Sequence, residues 1–192
     1  MSTRTVISSV QNLKIGGDVR EWNELIENHG KSIYSFCRNL ARNQHDADDL
    51  YQETFLKAVE MGHRIDFDNN PKSFLISVAA GIWKNRNRKL LWRQNIAPTD
   101  SLDSDEKAER IPKAGRTPED IVINRELCQM VRQASNELSD KLRIPLYMFY
   151  TAEMSIEEIA SALKLPKGTV KSRLHKARQA VKHNLEVNYE EF

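Results

Sequence analysis

Apolar side chains recur at helical spacing along most of this chain, and the strict alternation that marks half-buried strands is nearly absent. Trp22, Leu25, Ile26, Ile33, Phe36, Cys37 and Leu40 form one such face behind Asp18 and Glu21, which together can cap a helix start. Gly30 offers a point at which that helix can bend. Asp46 caps a second helix, with Ala47, Leu50, Thr54, Phe55 and Ala58 turned inward. Pro71 opens a third, whose inward set is Phe74, Leu75, Val78, Ala79 and Ile82. The pattern predicts a compact all-α domain built from these three helices over about 75 residues.

The pattern lapses between about Gln94 and Arg116. Pro98, Pro112 and the run Asp100-Ser101-Leu102-Asp103-Ser104-Asp105-Glu106 leave few large apolar groups there, too few to offset the entropy of ordering. A flexible acidic linker is expected. Residues 1–17, ending in Gly16-Gly17, are expected to be a loosely ordered lead-in. Order resumes at Thr117-Pro118-Glu119-Asp120, which reads as a cap, a first-turn proline and dipole-favoured acids. About four helices follow. Pro145 should not lie inside one, so the helix carrying Leu146, Phe149 and Tyr150 is expected to begin there.

The last two helices are the most explicit part of the chain. Ser155-Ile156-Glu157-Glu158 has capping-box form, and Ile156, Ile159, Ala160 and Leu163 give the apolar face behind it. Lys164-Leu165-Pro166 is a short turn, with Leu165 available to fill the angle and Pro166 suited to a first turn. Val170, Leu174, Ala177 and Val181 then repeat at helical spacing, while Lys167, Lys171, Arg173, Lys176, Arg178 and Lys182 occupy the other faces. No acid interrupts residues 159–185. Helix, tight turn and basic helix is the helix-turn-helix arrangement, whose second helix enters the major groove. An ordinary helical hairpin with a solvated lysine face is the plainer alternative.

Composition adds limits rather than direction. The chain has 192 residues, 29% charged and 40% hydrophobic, with a net charge of only +2. That suits small helical cores, and the distribution of charge says more than its sum. From Asn69 to Thr99 there are six Lys or Arg and no acid. Cys37 and Cys128 fall on separate helices, and neither they nor the five histidines show metal-ligand spacing, so both cysteines read as small buried hydrophobes. With no signal peptide and no apolar run long enough to span a bilayer, a soluble cytoplasmic protein without membrane insertion is expected.

Two further clusters carry chemistry. Lys84, Arg86, Arg88, Lys89 and Arg93 are interleaved with Trp83, Asn85, Asn87 and Trp92. Cations neutralise phosphate, amides read base edges and indoles stack on unpaired bases, so this block fits melted or single-stranded DNA. Structural tryptophans amid solvated charges are the alternative, and at least one indole should be structural. Asp46, Asp48, Asp49 and Glu53 put four carboxylates on little more than two helical turns. They read as a dipole-favoured helix start, as an interface for a protein partner, or as the oxygen ligands of a metal-dependent nuclease. No histidine, lysine or second acidic motif completes a catalytic set for the last.

The run from Asp46 to Ala58, Asp-Ala-Asp-Asp-Leu-Tyr-Gln-Glu-Thr-Phe-Leu-Lys-Ala, resembles the core-polymerase-binding helix of bacterial sigma factors of the extracytoplasmic function (ECF) group. Gly168-Thr169-Val170-Lys171-Ser172-Arg173-Leu174 with Ala177-Arg178 resembles the upstream-promoter-reading helix of the same group. The resemblance covers about residues 18–93 and 117–183. It implies a domain over 18–93 that binds core RNA polymerase and the −10 element, a linker over 94–116, and a domain over 117–192 that binds the −35 element. The implied polymerase contacts are Asp46, Asp49, Gln52, Glu53 and Phe55. Those for the melted strand are Trp83, Lys84, Asn85, Arg86, Asn87, Arg88 and Lys89. Those for the upstream duplex are Lys167, Thr169, Lys171, Ser172, Arg173, His175, Lys176 and Arg178. Core RNA polymerase, promoter DNA and an anti-sigma factor are the implied partners, with no enzyme activity, cofactor, metal or small-molecule substrate. Ala80-Gly81 stand where the group usually has Arg-Asn, Asn85 where it has Asp, and Tyr51 where an aliphatic is common. A stand-alone helix-turn-helix regulator is the competing function, but it leaves the acidic helix and the first basic block without a role.

Overall fold

The structure, a computed structural model, describes residues 18–41, 43–96 and 130–190, and among these every regular element is a helix. α1 spans Val19–Leu40, α2 Gln44–Glu60 and α3 Pro71–Ile96, with one 3₁₀ turn at Gly62–Arg64. Residues 130–136 are helical, and α4 (Asp140–Tyr150), α5 (Ile156–Leu163) and α6 (Lys167–Glu190) follow. The lead-in, the linker beyond residue 96, the helix start at Thr117 and Cys128 lie outside the described residues.

α1 begins as expected, in a capping box where the Asp18 N–H donates to Glu21 at 2.7 Å and the Asp18 carboxylate accepts in return. It runs unbroken through Gly30 instead of bending there. α2 starts earlier than predicted. Its N-cap is Asn43, whose side-chain oxygen accepts from the Asp46 N–H at 2.8 Å. Asp46 therefore occupies the third helical position, where an acid still favours the helix dipole, and its carboxylate accepts from the Asn43 side-chain amide at 3.2 Å. The expected inward set of α2 is buried.

α3 extends to Ile96 and buries a wider face than one stripe. Leu75, Ile76, Ala79, Ala80 and Trp83 are all buried, whereas Phe74 and Ile82 are only partly so. The reason is that α3 is covered on two sides, by α1 and α2 of its own domain and by α4 and α5 of the next. Two neighbours require two adjacent stripes.

α4 corrects the expectation at Pro145. The helix begins at Asp140, behind Ser139, and carries Pro145 in its interior. A proline there forfeits one backbone hydrogen bond, at a cost of about 3 kcal/mol. Burial of Ile144, Leu146, Tyr147 and Met148 around it opposes that cost, since each large apolar side chain withdrawn from water contributes about 1.5–3 kcal/mol.

The two helical domains share one apolar cluster. Trp22, Phe36, Phe55, Leu75 and Trp83 from the first belong to it together with Ile144, Met148, Met154, Ile159 and Leu174 from the second. Polar bonds cross the same junction. Asn39, buried at the end of α1, donates to Thr151 at 3.0 Å and accepts from Arg132 at 2.8 Å. Glu158 on α5 accepts from Ser73 at 2.9 Å and from Asn70 on the α3 side.

Candidate nucleic-acid interface

α5 and α6 form the predicted helix-turn-helix. Ser155 and Glu158 make the capping box, with the Ser155 N–H donating to Glu158 at 2.7 Å. The turn pivots on Lys164, which is left-handed at φ 53°, and the Leu165 N–H returns to the Ala160 carbonyl at 2.9 Å. Leu165 packs against the core as expected. Pro166 lies one residue outside α6 rather than within it, and its carbonyl accepts from Thr169 at 2.9 Å and Val170 at 3.2 Å. Val170, Leu174 and Ala177 are buried, so the opposite side of α6 is turned out.

Of the eight upstream-element candidates, Lys167, Lys171, Ser172, His175, Lys176 and Arg178 are exposed, while Thr169 and Arg173 are half-buried. Thr169, Ser172, Arg173 and Lys176 line one groove with Lys141. Lys167 pairs with Glu157 at 2.8 Å, and that hydrogen bond to the ammonium holds the Glu157 carboxyl below its ordinary range. Arg178 donates to the Tyr150 hydroxyl at 2.9 Å and lies over its ring, which fixes the guanidinium beside α4.

The first basic block divides by face. Lys84, Asn85, Arg88 and Lys89 are exposed and Arg86 and Asn87 half-buried. Trp83 differs: it is 5% exposed, its indole N–H donates to Asp140 at 3.3 Å, and the Arg143 guanidinium lies over it at 5.6 Å. In this arrangement Trp83 is core and offers no face to an unpaired base. Trp92 is the indole left outside, at 67% exposure. Asn87 donates to the same Asp140 carboxylate at 2.6 Å. Lys84 and Arg173 line one cleft of about 350 Å³ over Ile144, Pro145, Leu163 and Leu165. Desolvation there, reinforced by the Arg173 charge and opposed by Asp140, lowers the Lys84 pKa.

The acidic helix α2 presents Asp49 and Glu53 to solvent, with Asp46 and Gln52 half-buried. Phe55 does not belong with them: it is 1% exposed and packs on the Tyr51 ring at 4.9 Å, so it supports the helix from inside. Arg86 donates through Nε to Glu53 at 3.0 Å, joining the acidic helix to the basic one. Asp48 accepts from the Tyr34 hydroxyl at 2.8 Å. Asp140, Tyr34 and Tyr150 were not legible as members of these surfaces. Asp140 gives no signal in the sequence reading, which starts that helix at Pro145. Cys37 is buried beside α2, and desolvation pushes its thiol up to about 12.

Among the described residues no group of three His, Cys, Asp or Glu side chains is arranged to hold a metal ion. No helix among them is long and apolar enough to cross a membrane.

The Sigma-70 region 2 model matches residues 25–93, within α1–α3, and the Sigma-70, region 4 model matches residues 128–181, which include the helix-turn-helix. The ECF RNA polymerase sigma factor SigW of Bacillus subtilis is 30% identical over 173 residues, covering 88% of this chain and 91% of that protein. The ECF RNA polymerase sigma-E factor of Escherichia coli K12 is 27% identical over 175 residues, covering 88% of this chain and 89% of its own. In fold, the chain is similar to the sigma factor RpoE of Bartonella quintana, solved with the anti-sigma factor NepR, at a TM-score of 0.71, 21% identity and coverage of 88% and 98%. It is also similar to CnrH, solved with the cytosolic domain of CnrY, at a TM-score of 0.61, 20% identity and coverage of 96% and 97%. With both regions present in order and a relative matched nearly end to end, the chain belongs to the ECF RNA polymerase sigma factors.

Proposed function

We propose that this sigma factor directs promoter-specific initiation by dividing the work among three surfaces. Asp46, Asp49, Gln52 and Glu53 on α2 dock on core RNA polymerase, with Phe55 fixing the helix from beneath. Lys84, Asn85, Arg86, Asn87, Arg88 and Lys89 on α3 engage the opened −10 strand. Lys167, Thr169, Lys171, Ser172, Arg173, His175, Lys176 and Arg178 on α6 read the −35 duplex, cations positioning the helix on phosphates and Arg173 reaching base edges. The proposed units are 18–93 and 117–192, joined by 94–116. All catalysis belongs to the polymerase, and the chain acts where the polymerase is, in the cytoplasm. An anti-sigma factor is the proposed inhibitor, as NepR is a partner of RpoE.

The observation that carries this reading is the segregation on α6: Val170, Leu174 and Ala177 face the core while Lys167, Lys171, Lys176 and Arg178 face out. Co-purification tests the polymerase surface. Reversing charge at Asp49 and Glu53 should weaken association with core polymerase while helical content stays unchanged. Undiminished binding by the double variant would remove α2 from the interface.

A further inference from the structure

Asp140 opens α4, yet its carboxylate reaches α3 as well as its own helix. One oxygen accepts from the Trp83 indole at 3.3 Å and from Arg143 at 2.8 Å, and the other accepts from Asn87 at 2.6 Å. A single acid of the second domain thus ties down Asn87, a member of the candidate strand-binding face of the first, together with the buried Trp83 beside it. Lys84, one residue beyond Trp83, shares a cleft with Arg173 of the recognition helix. Two cations assigned to different promoter elements therefore stand at one small opening.

That arrangement conflicts with promoter engagement on geometric grounds. Elements named −10 and −35 are about 25 base pairs apart, or about 85 Å of duplex at 3.4 Å per base pair. Side chains lining one cavity of about 350 Å³ cannot contact both. The described arrangement is a closed one, in which the second domain lies on part of the surface that DNA would use. Its junction is held by the shared apolar cluster and by polar bonds, and it carries one repulsive contact. Like charges at Lys84 and Arg173 oppose closure, and a phosphate backbone would neutralise both.

From this contact we propose that Asp140 is an autoinhibitory latch, which holds the free sigma factor closed by binding Trp83 and Asn87 and must release them before α3 can take promoter DNA. The proposal rests on the reading that α3 is a DNA-binding face. Binding to DNA is then reduced by the fraction of chains that are open.

Two measurements on the full chain test it, both with Cys128→Ser so that buried Cys37 is the sole native thiol. Pulsed EPR between spin labels at Leu56→Cys and Glu186→Cys reports the separation of α2 from α6. Asp140→Ala should lengthen and broaden that distance, and should raise affinity for a bubble-containing duplex, measured without polymerase, by about tenfold. An unchanged distance distribution overturns the latch. A lengthened distance with unchanged DNA affinity upholds the latch and overturns the DNA-binding reading of α3 instead. Because Asp140→Ala also strands Arg143, a second variant approaches from the other side. Ser73→Cys with Glu158→Cys, bridged by a reducible bis-thiosulfonate, should bind the same DNA at least about tenfold more weakly than after reduction. Equal affinity in the locked and reduced forms overturns the proposal where Asp140→Ala raises affinity, and overturns the DNA-binding reading of α3 where it does not.

Discussion

A Cβ on Gly30 would stand 3.0 Å from the Tyr51 hydroxyl. The contact gives a physical reason for glycine at this buried position of α1, where alanine would otherwise be preferred by about 1 kcal/mol. Tyr51 cannot easily retreat, since its ring is held between Tyr34 at 5.5 Å and Phe55 at 4.9 Å. Gly81 is the opposite case: a Cβ there meets nothing within 4 Å. Gly81→Ala should stabilise by about 0.5–1 kcal/mol, whereas Gly30→Ala should destabilise by roughly 1 kcal/mol. In a Tyr51→Phe background, which lacks the hydroxyl, Gly30→Ala should become neutral or stabilising. Urea midpoints at constant m-value measure all four variants, and a Gly30→Ala that stabilises the parent chain refutes the packing argument.

Glu158 gives the junction a pH dependence of known sign. Burial raises its pKa, but hydrogen bonds from Ser155 and Ser73, with the Lys72 charge, outweigh this and hold it low. A depressed carboxyl contributes stability that is fully present above the ordinary glutamate value of about 4.3. That stability is lost as pH falls through the lower folded value. The thermal midpoint should therefore drop on acidification below about pH 4.3, and Glu158→Gln should flatten that limb. An identical acid limb in the variant would show that Glu158 is not a source of it.

Arg173 and Lys171 should fail differently. Arg173→Ala should lose about 1–3 kcal/mol of discrimination at one base pair of the upstream element. Lys171→Ala should weaken binding evenly across sequences and flatten the salt slope by roughly one. Anisotropy titrations of polymerase-bound protein over a salt series separate the two, and equal base-specific losses would contradict the assignment.

Cys37 should be inert. With its thiol pushed up to about 12 by burial, little thiolate exists at neutral pH. In a Cys128→Ser chain, maleimide labelling should wait for denaturant. Fast labelling of the native chain would show that the α1–α2 core opens.

The features legible in sequence were those governed by local rules. The capping boxes at Asp18 and Ser155, the turn at Lys164 to Pro166 and the charge segregation of α6 each depend on residues a few positions apart. Asn43 is not singled out because Asp46, three residues on, is as good a cap in isolation; in the structure the two bond to each other, with Asn43 as the cap. Pro145 reads as a helix start because its local cost is legible in sequence and the buried neighbours that offset it are not. The role of Asp140 was invisible for a further reason. Periodicity shows that α3 has apolar stripes but not which element covers each, so no pattern links Trp83 and Asn87 to an acid more than 50 residues away.

Initiation itself is the most direct test. Purified chain would be added to bacterial core RNA polymerase on a library of genomic promoters, with transcript start sites and permanganate-reactive thymines as readouts. The account predicts start sites and strand opening that require the added chain, fall on a shared promoter sequence, and disappear with charge-reversed Asp49 and Glu53. Core polymerase that initiates no differently with the chain than without it would contradict the account.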